Sequence, residues 1–160
     1  RQFRWFLLEI IMINDNLKLR GDVALVLKDK DGNIKDTREI NNLVVTAGLT
    51  FICSRMAAAS PGVMTHMALG SSTTAAAAGQ TDLVSILGSR EALDSTNASA
   101  NTIVYVSSFE AGEGTGAVTE AGVFNAASGS TMLCRTVFAV VNKQASDTMS
   151  VTWTITLSAS

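Results

Sequence analysis

Few residues in this chain have types and spacings that could do chemistry. The single histidine, His66, could be combined with one of many serines and an acid into a hydrolytic triad. It lies between Met64 and Met67 in a segment that reads as a strand, and no G-x-S-x-G elbow presents a nucleophile, so His66 reads as structural. Glu110, Glu113 and Glu120 could supply the paired carboxylates of a sugar hydrolase. The competing reading makes them solvated turn residues, or makes Glu120 a hydrogen-bonding group across a sheet. Gly112-Glu-Gly-Thr-Gly116 has the glycine content of a phosphate cradle, but it lacks the following Lys-Ser/Thr and leads into a strand instead of a helix N-terminus.

Asp29, Asp31 and Asn33 invite a calcium loop, yet the carboxylate needed at the loop's last position is missing, so Lys30-Asp-Gly-Asn33 reads as a hairpin turn. Cys53 and Cys134 have neither a CxxC nor a histidine neighbour and read as two buried thiols. With one histidine, a zinc site of His/Cys type is not expected. Asn97-Ala-Ser99 is a glycosylation sequon, relevant only in a eukaryotic secretory context. The expectation is therefore no catalytic, cofactor-binding or metal-binding residue, and no enzyme.

The elements that would position these residues are mostly strands. Leu17, Leu19, Val23, Leu25 and Leu27 alternate with polar positions, and Ile34 to Ile40 follows the Asp-Gly turn. Val63 to Leu69, Thr102 to Phe109, Ala117 to Phe124, Met132 to Val141 and Met149 to Leu157 read as further strands, with Asp82 to Ser95 returning the chain to the sheet. Gly-rich turns at 112–116 and 128–130 predict a meander through the last of these. The final strand is the cleanest: Met149, Val151, Trp153, Ile155 and Leu157 alternate with Ser150, Thr152, Thr154 and Thr156. Trp153 and Tyr105 read as core, and the hydroxyl face as suited to packing against another surface.

One helix is predicted over about residues 47–58, with Thr46 as N-cap and Leu49, Ile52, Cys53 and Met56 on its buried face. It should end before Ser60-Pro-Gly62. The loop Gly70 to Gly79 is low in complexity and expected to be exposed. The fold class is mainly β, an antiparallel β-sandwich or jelly-roll-like domain with one short α-helix.

At 160 residues the chain fits one domain, placed at 12–160. Residues 1–11 differ in composition and include Trp5. They read as translated upstream sequence before a start at Met12, since Leu8-Glu9 can be encoded with a ribosome-binding element, or else as an arm packing on a neighbour. Their apolar run is too short to span a bilayer. Charged residues make up 16% of the chain, against about 25% in typical domains, so part of the surface should be covered by other subunits. A net charge of −2 without a basic cluster argues against direct nucleic-acid binding, and no membrane contact is expected.

Three segments, in order, resemble small virion structural proteins of tailed bacteriophages: Asn42-Leu-Val-Val-Thr-Ala-Gly-Leu-Thr-Phe-Ile-Cys-Ser-Arg-Met56, Met67-Ala-Leu-Gly-Ser-Ser-Thr-Thr-Ala-Ala-Ala-Ala-Gly-Gln-Thr-Asp-Leu83, and Gly114-Thr-Gly-Ala-Val-Thr-Glu-Ala-Gly-Val-Phe-Asn-Ala-Ala-Ser-Gly-Ser-Thr-Met-Leu-Cys-Arg-Thr-Val-Phe138. The resemblance covers most of residues 17–157 and departs from the usual pattern around Asp82 to Glu91. It implies a non-enzymatic particle component located in the virion and assembled in the bacterial host cytoplasm. The leading form is a capsid decoration (cement) subunit, self-associating as a homotrimer and contacting the major capsid protein. A tail-tip or fibre-base subunit contacting tail subunits is the alternative, and a carbohydrate-binding jelly-roll module is the alternative of another class.

Overall fold

A computed structural model describes residues 16–57, 61–129 and 131–159 of the chain. Residues 1–11, Met12 and the last expected residue of the helix therefore lie outside the described residues. The chain is mainly β: two five-stranded antiparallel sheets and a single short helix among the described residues. One sheet, here sheet A, contains β1 (Leu17–Lys28), β2 (Ile34–Asn41), β6 (Ser95–Ser99), β7 (Thr102–Phe109) and β10 (Thr148–Ala159), in the order β2-β1-β10-β7-β6. Sheet B contains β3 (Leu43–Val44), β4 (His66–Gly70), β5 (Glu91–Ala92), β8 (Gly116–Phe124) and β9 (Met132–Lys143), in the order β3-β9-β8-β4-β5. The helix α1 spans Thr46–Ala57.

Period-two patterning decides which face of sheet A meets the core. Val23, Leu25 and Leu27 of β1, Tyr105 and Phe109 of β7, and Met149, Val151, Trp153 and Ile155 of β10 are all buried in one cluster. Met67, Leu69, Val118, Ala121, Val123, Leu133 and Val141 reach the same cluster from sheet B, so the sheets pack as a sandwich. Tyr105 and Trp153 face each other in register across β7 and β10, as core residues.

Sheet B is buried on both faces. Seven consecutive residues of β8, Val118 to Phe124, are buried, and a register irregularity between Val118 and Glu120 turns Glu120 to the outer side. A second apolar cluster of Val45, Ala68, Phe124 and Met132 lies on this side, with Ala47 and Leu83 packed against it.

Four expectations need correction. The glycine turn at 112–116 does not join neighbouring strands: β7 belongs to sheet A and β8 to sheet B, so the chain crosses the sandwich there. Gly112, Gly114 and Gly116 have φ of 90°, 56° and 140°, and this left-handed run swings the chain to the other sheet where a tight hairpin would have kept it in one. Of the meander expected from Thr102 to Leu157 only the β8–β9 hairpin forms, since β9 and β10 also lie in different sheets, while the expected β1–β2 hairpin is present.

The region 82–95 meets a sheet only through the isolated bridge of Ile86 to Gly70 and the two-residue β5, both on sheet B; β6 starts at its last residue, Ser95, and belongs to sheet A, and β3 also adds a short pairing with β9. The helix buries Gly48 and Phe51, while Leu49 is 48% exposed, Met56 is 88% exposed and Cys53 is exposed. A Cβ on Gly48 would lie 2.0 Å from the Leu133 carbonyl oxygen, so the helix meets β9 through its glycine; of the predicted stripe, Ile52 packs against the core and Leu49, Cys53 and Met56 are turned outward. Thr46 is already helical: Leu49 N donates to the Val45 carbonyl, which places the cap one residue earlier.

Candidate functional surface

The residues with chemical potential are placed apart. His66 opens β4, where its Nδ1 shares a 2.8 Å hydrogen bond with the Thr65 hydroxyl and its register neighbours are Phe124 and Ala92. In the turn after β7, the Glu113 carboxylate accepts the backbone N–H of Glu110, and the Gly112 N–H donates to the Ala145 carbonyl. The backbone there is engaged within the protein. At the β1–β2 turn, the Asp29 carboxylate accepts the N–H groups of Asp31 and Asn33 and the Asn33 amide. The Asn33 side chain is the main cause holding the Asp29 pKa below its ordinary value. Among the described residues, no group of three or more His, Cys, Asp or Glu is placed to hold a metal ion.

Glu120 is the residue whose role the sequence left open. It is fully buried and faces a fully buried Arg135, with Nη2 at 2.7 Å and Nε at 2.9 Å from Oε2. Its carboxylate also accepts the N–H groups of Ser72, Val84 and Ser85, while Arg135 donates to Gln80 Oε1 and the Thr74 carbonyl. Both carboxylate oxygens are thereby occupied. The pair fastens the segment 71–89 over the outer side of sheet B, a structural role for a polar group that is costly to bury unpaired. Arg90 makes a second anchor: it donates to the Ala126 and Gly129 carbonyls and stacks 3.7 Å over the Phe124 ring.

A third network closes the opposite end. Lys143 is buried and donates to the carbonyls of Glu110 and Asp147, while Asp147 pairs with Lys35 at 2.6 Å. Burial lowers the Lys143 pKa, and the Lys35 hydrogen bond is the main cause lowering that of Asp147. Cys53 and Cys134 are unpaired, one exposed on α1 and the other buried on β9, so the expectation of two buried thiols holds for Cys134 alone. Burial pushes the Cys134 thiol well above its ordinary range.

What remains is a surface. With sheet B roofed, sheet A keeps an outer face that no other described element covers. In register across it lie Ser150 beside Ser108, Thr152 beside Val106, Thr154 beside Val104 and Thr156 beside Thr102. On the other side of β10, the same rows continue through Val26, Ala24, Asp22 and Arg20. These β10 and β7 side chains are half-buried against one another and carry no charge.

Charge gathers only toward β1 and β2: Lys18 and Lys28 stand at the two ends of β1, and between them Arg20, Asp22 and Glu39 border a groove of about 470 Å³ that Asn41, Thr152 and Thr154 also line. Arg20 and Asp22 already pair with each other at 2.9 Å. Such a face offers hydroxyl donors and acceptors, with no nucleophile–base pair among its described residues. Sequence alternation had identified this face on β10; its extension over β7 and β1 came only with the register. Comparison of the chain with protein-family models, curated proteins and solved structures found no match.

Proposed function

We propose that the chain is a non-enzymatic structural subunit of a tailed-phage virion, most simply a capsid decoration protein that docks as a homo-oligomer, a trimer by analogy with the proteins it resembles. The observation that carries this reading is the bare, uncharged β10–β7–β6 part of the outer face of sheet A, which the charges of β1 and β2 border on one side only. An isolated subunit would be expected to guard such a face with lysines or cover it, as segment 71–89 covers sheet B. Closed packing of identical subunits, or seating on a particle, covers it without open-ended growth. The dispersal of His66 and the acids, and the full engagement of Glu120, support a role without catalysis. Burial of Trp153 and Tyr105 removes both from service as aromatic platforms for a sugar, which weighs against the carbohydrate-binding reading.

The test mixes purified protein with undecorated capsids and measures co-sedimentation together with light scattering of the free protein. Saturable binding by an oligomer is expected. A stable monomer at micromolar concentration that also fails to bind capsids would overturn the reading. Binding to isolated tails instead of capsids would move the subunit to the tail.

A further inference from the structure

Four strands end the two sheets, and three of them are poor templates for another chain. β3 and β5 are two residues long, and β2 carries Lys35, Asp36, Arg38 and Glu39 with a register irregularity where it meets the end of β1. β6 differs from all three. Its five residues, Ser95-Thr-Asn-Ala-Ser99, are exposed, uncharged and free of proline, and on the side away from β7 it has no neighbour among the described strands. Every second residue of such a strand directs its N–H and C=O away from the sheet.

We propose that β6 is the docking edge for β6 of a second copy of this chain, paired antiparallel about a two-fold axis at Asn97. The sequence is self-complementary in that register: Ser95 lies opposite Ser99 of the second copy, Thr96 opposite Ala98, and Asn97 opposite its own counterpart. The serine hydroxyls and the two Asn97 amides can hydrogen-bond across the axis, and Thr96 meets the small Ala98 without a clash of charge or bulk. Ser95, Asn97 and Ser99 stand in the rows of Val106, Val104 and Thr102, so the pairing continues the bare face of sheet A from one copy into the next.

Charge does not oppose the pairing. The nearest ionised group, Asp94, comes opposite Ala100 of the second copy. The two Asp94 side chains are then about 20 Å apart along the strands, well beyond the ~8 Å screening length of physiological salt. The edge is also held ready. Asp94 N donates to the Val106 carbonyl at one end of the β6–β7 hairpin. At the other end, Ala100 sits at φ 50° and Asn101 exchanges hydrogen bonds with Leu157. Little ordering is needed on pairing, which lowers its cost.

Five residues bury less than the ~1,200 Å² of a stable interface, so the contact is weak alone and tightens where copies are held together. Being two-fold, it cannot build the trimer proposed above. It would join one oligomer to the next, and it stands whether or not the virion reading holds.

Cross-linking in a Cys53→Ser background tests the register. Asn97→Cys places two thiols directly opposite, within disulfide reach, and should give a covalent dimer on mild oxidation of the folded protein; Asp94→Cys should not. Sedimentation from micromolar to millimolar concentration should show reversible pairing that Asn97→Lys weakens on the order of tenfold, by opposing two cations on the axis. Absence of the cross-link, equal cross-linking of the Asp94→Cys variant, or pairing indifferent to Asn97→Lys would overturn the proposal.

Discussion

Glu120 and Arg135 are an ion pair buried within sheet B, and each is tolerable only because of the other. Glu120→Ala would leave a guanidinium buried without its counter-ion and three backbone N–H groups without their acceptor. We expect a loss of about 3–5 kcal/mol in denaturant unfolding, together with new proteolytic cleavage in segment 71–89. Their partnership was only half legible in the sequence: isolated charges in otherwise neutral strands are a signal, but it is the irregularity beside Glu120 that turns its side chain to the outer side and brings it to Arg135.

Asp147 makes a pH prediction. Its folded pKa lies below the ordinary 3.8, so the unfolded chain binds the proton more readily. The stabilisation from its ion pair is complete above that ordinary value and is lost as pH falls through the folded one. Asp147→Asn should therefore flatten the fall in stability on acidification; an unchanged acid limb would contradict the Lys35 pairing. For the thiols, a maleimide should modify Cys53 in the folded protein and reach Cys134 only after unfolding.

Helix α1 shows how a correct periodicity can select the wrong face. Leu49, Ile52, Cys53 and Met56 do form a stripe, but the buried face is centred up to one residue, or about 100°, away, on Gly48 and Phe51, and keeps only Ile52 of the stripe. Hydrophobicity could not report that a residue without a side chain is the point of closest approach. Gly48→Ala should force α1 away from the Leu133 carbonyl and cost about 1–3 kcal/mol. Gly62→Ala, whose Cβ would meet nothing within 4 Å, serves as the control and should change stability by less than about 0.5 kcal/mol. Equal stabilities for the two variants would remove the glycine explanation. Strand positions were legible wherever apolar residues alternate, as in β1 and β10, or form a β-branched run, as in β7. β6 was missed because a strand exposed along its whole length has no alternation to read.

At the scale of the molecule, the two sheets are unequal: one is covered on both sides and the other on one. Replacing Thr152 with Lys and Thr154 with Glu puts charge on the open side without touching the core. We expect thermal unfolding of the isolated subunit to shift little while self-association or capsid binding falls, as read by light scattering and co-sedimentation. A large loss of thermal stability with binding intact would contradict the assignment of that face. The sandwich class was legible from strand patterning, but the inequality of the sheets was not, because it depends on polar anchors far apart in the chain.

The position of β10 has a further consequence. It lies between β1 and β7 in the middle of sheet A, yet it follows all the other described strands in chain order. During synthesis, β1–β2 and β6–β7 can exist only as two separate hairpins until β10 emerges from the ribosome to join them. The bare face is therefore assembled last, so a nascent chain cannot present it to neighbouring copies on the same polysome before its own core has closed.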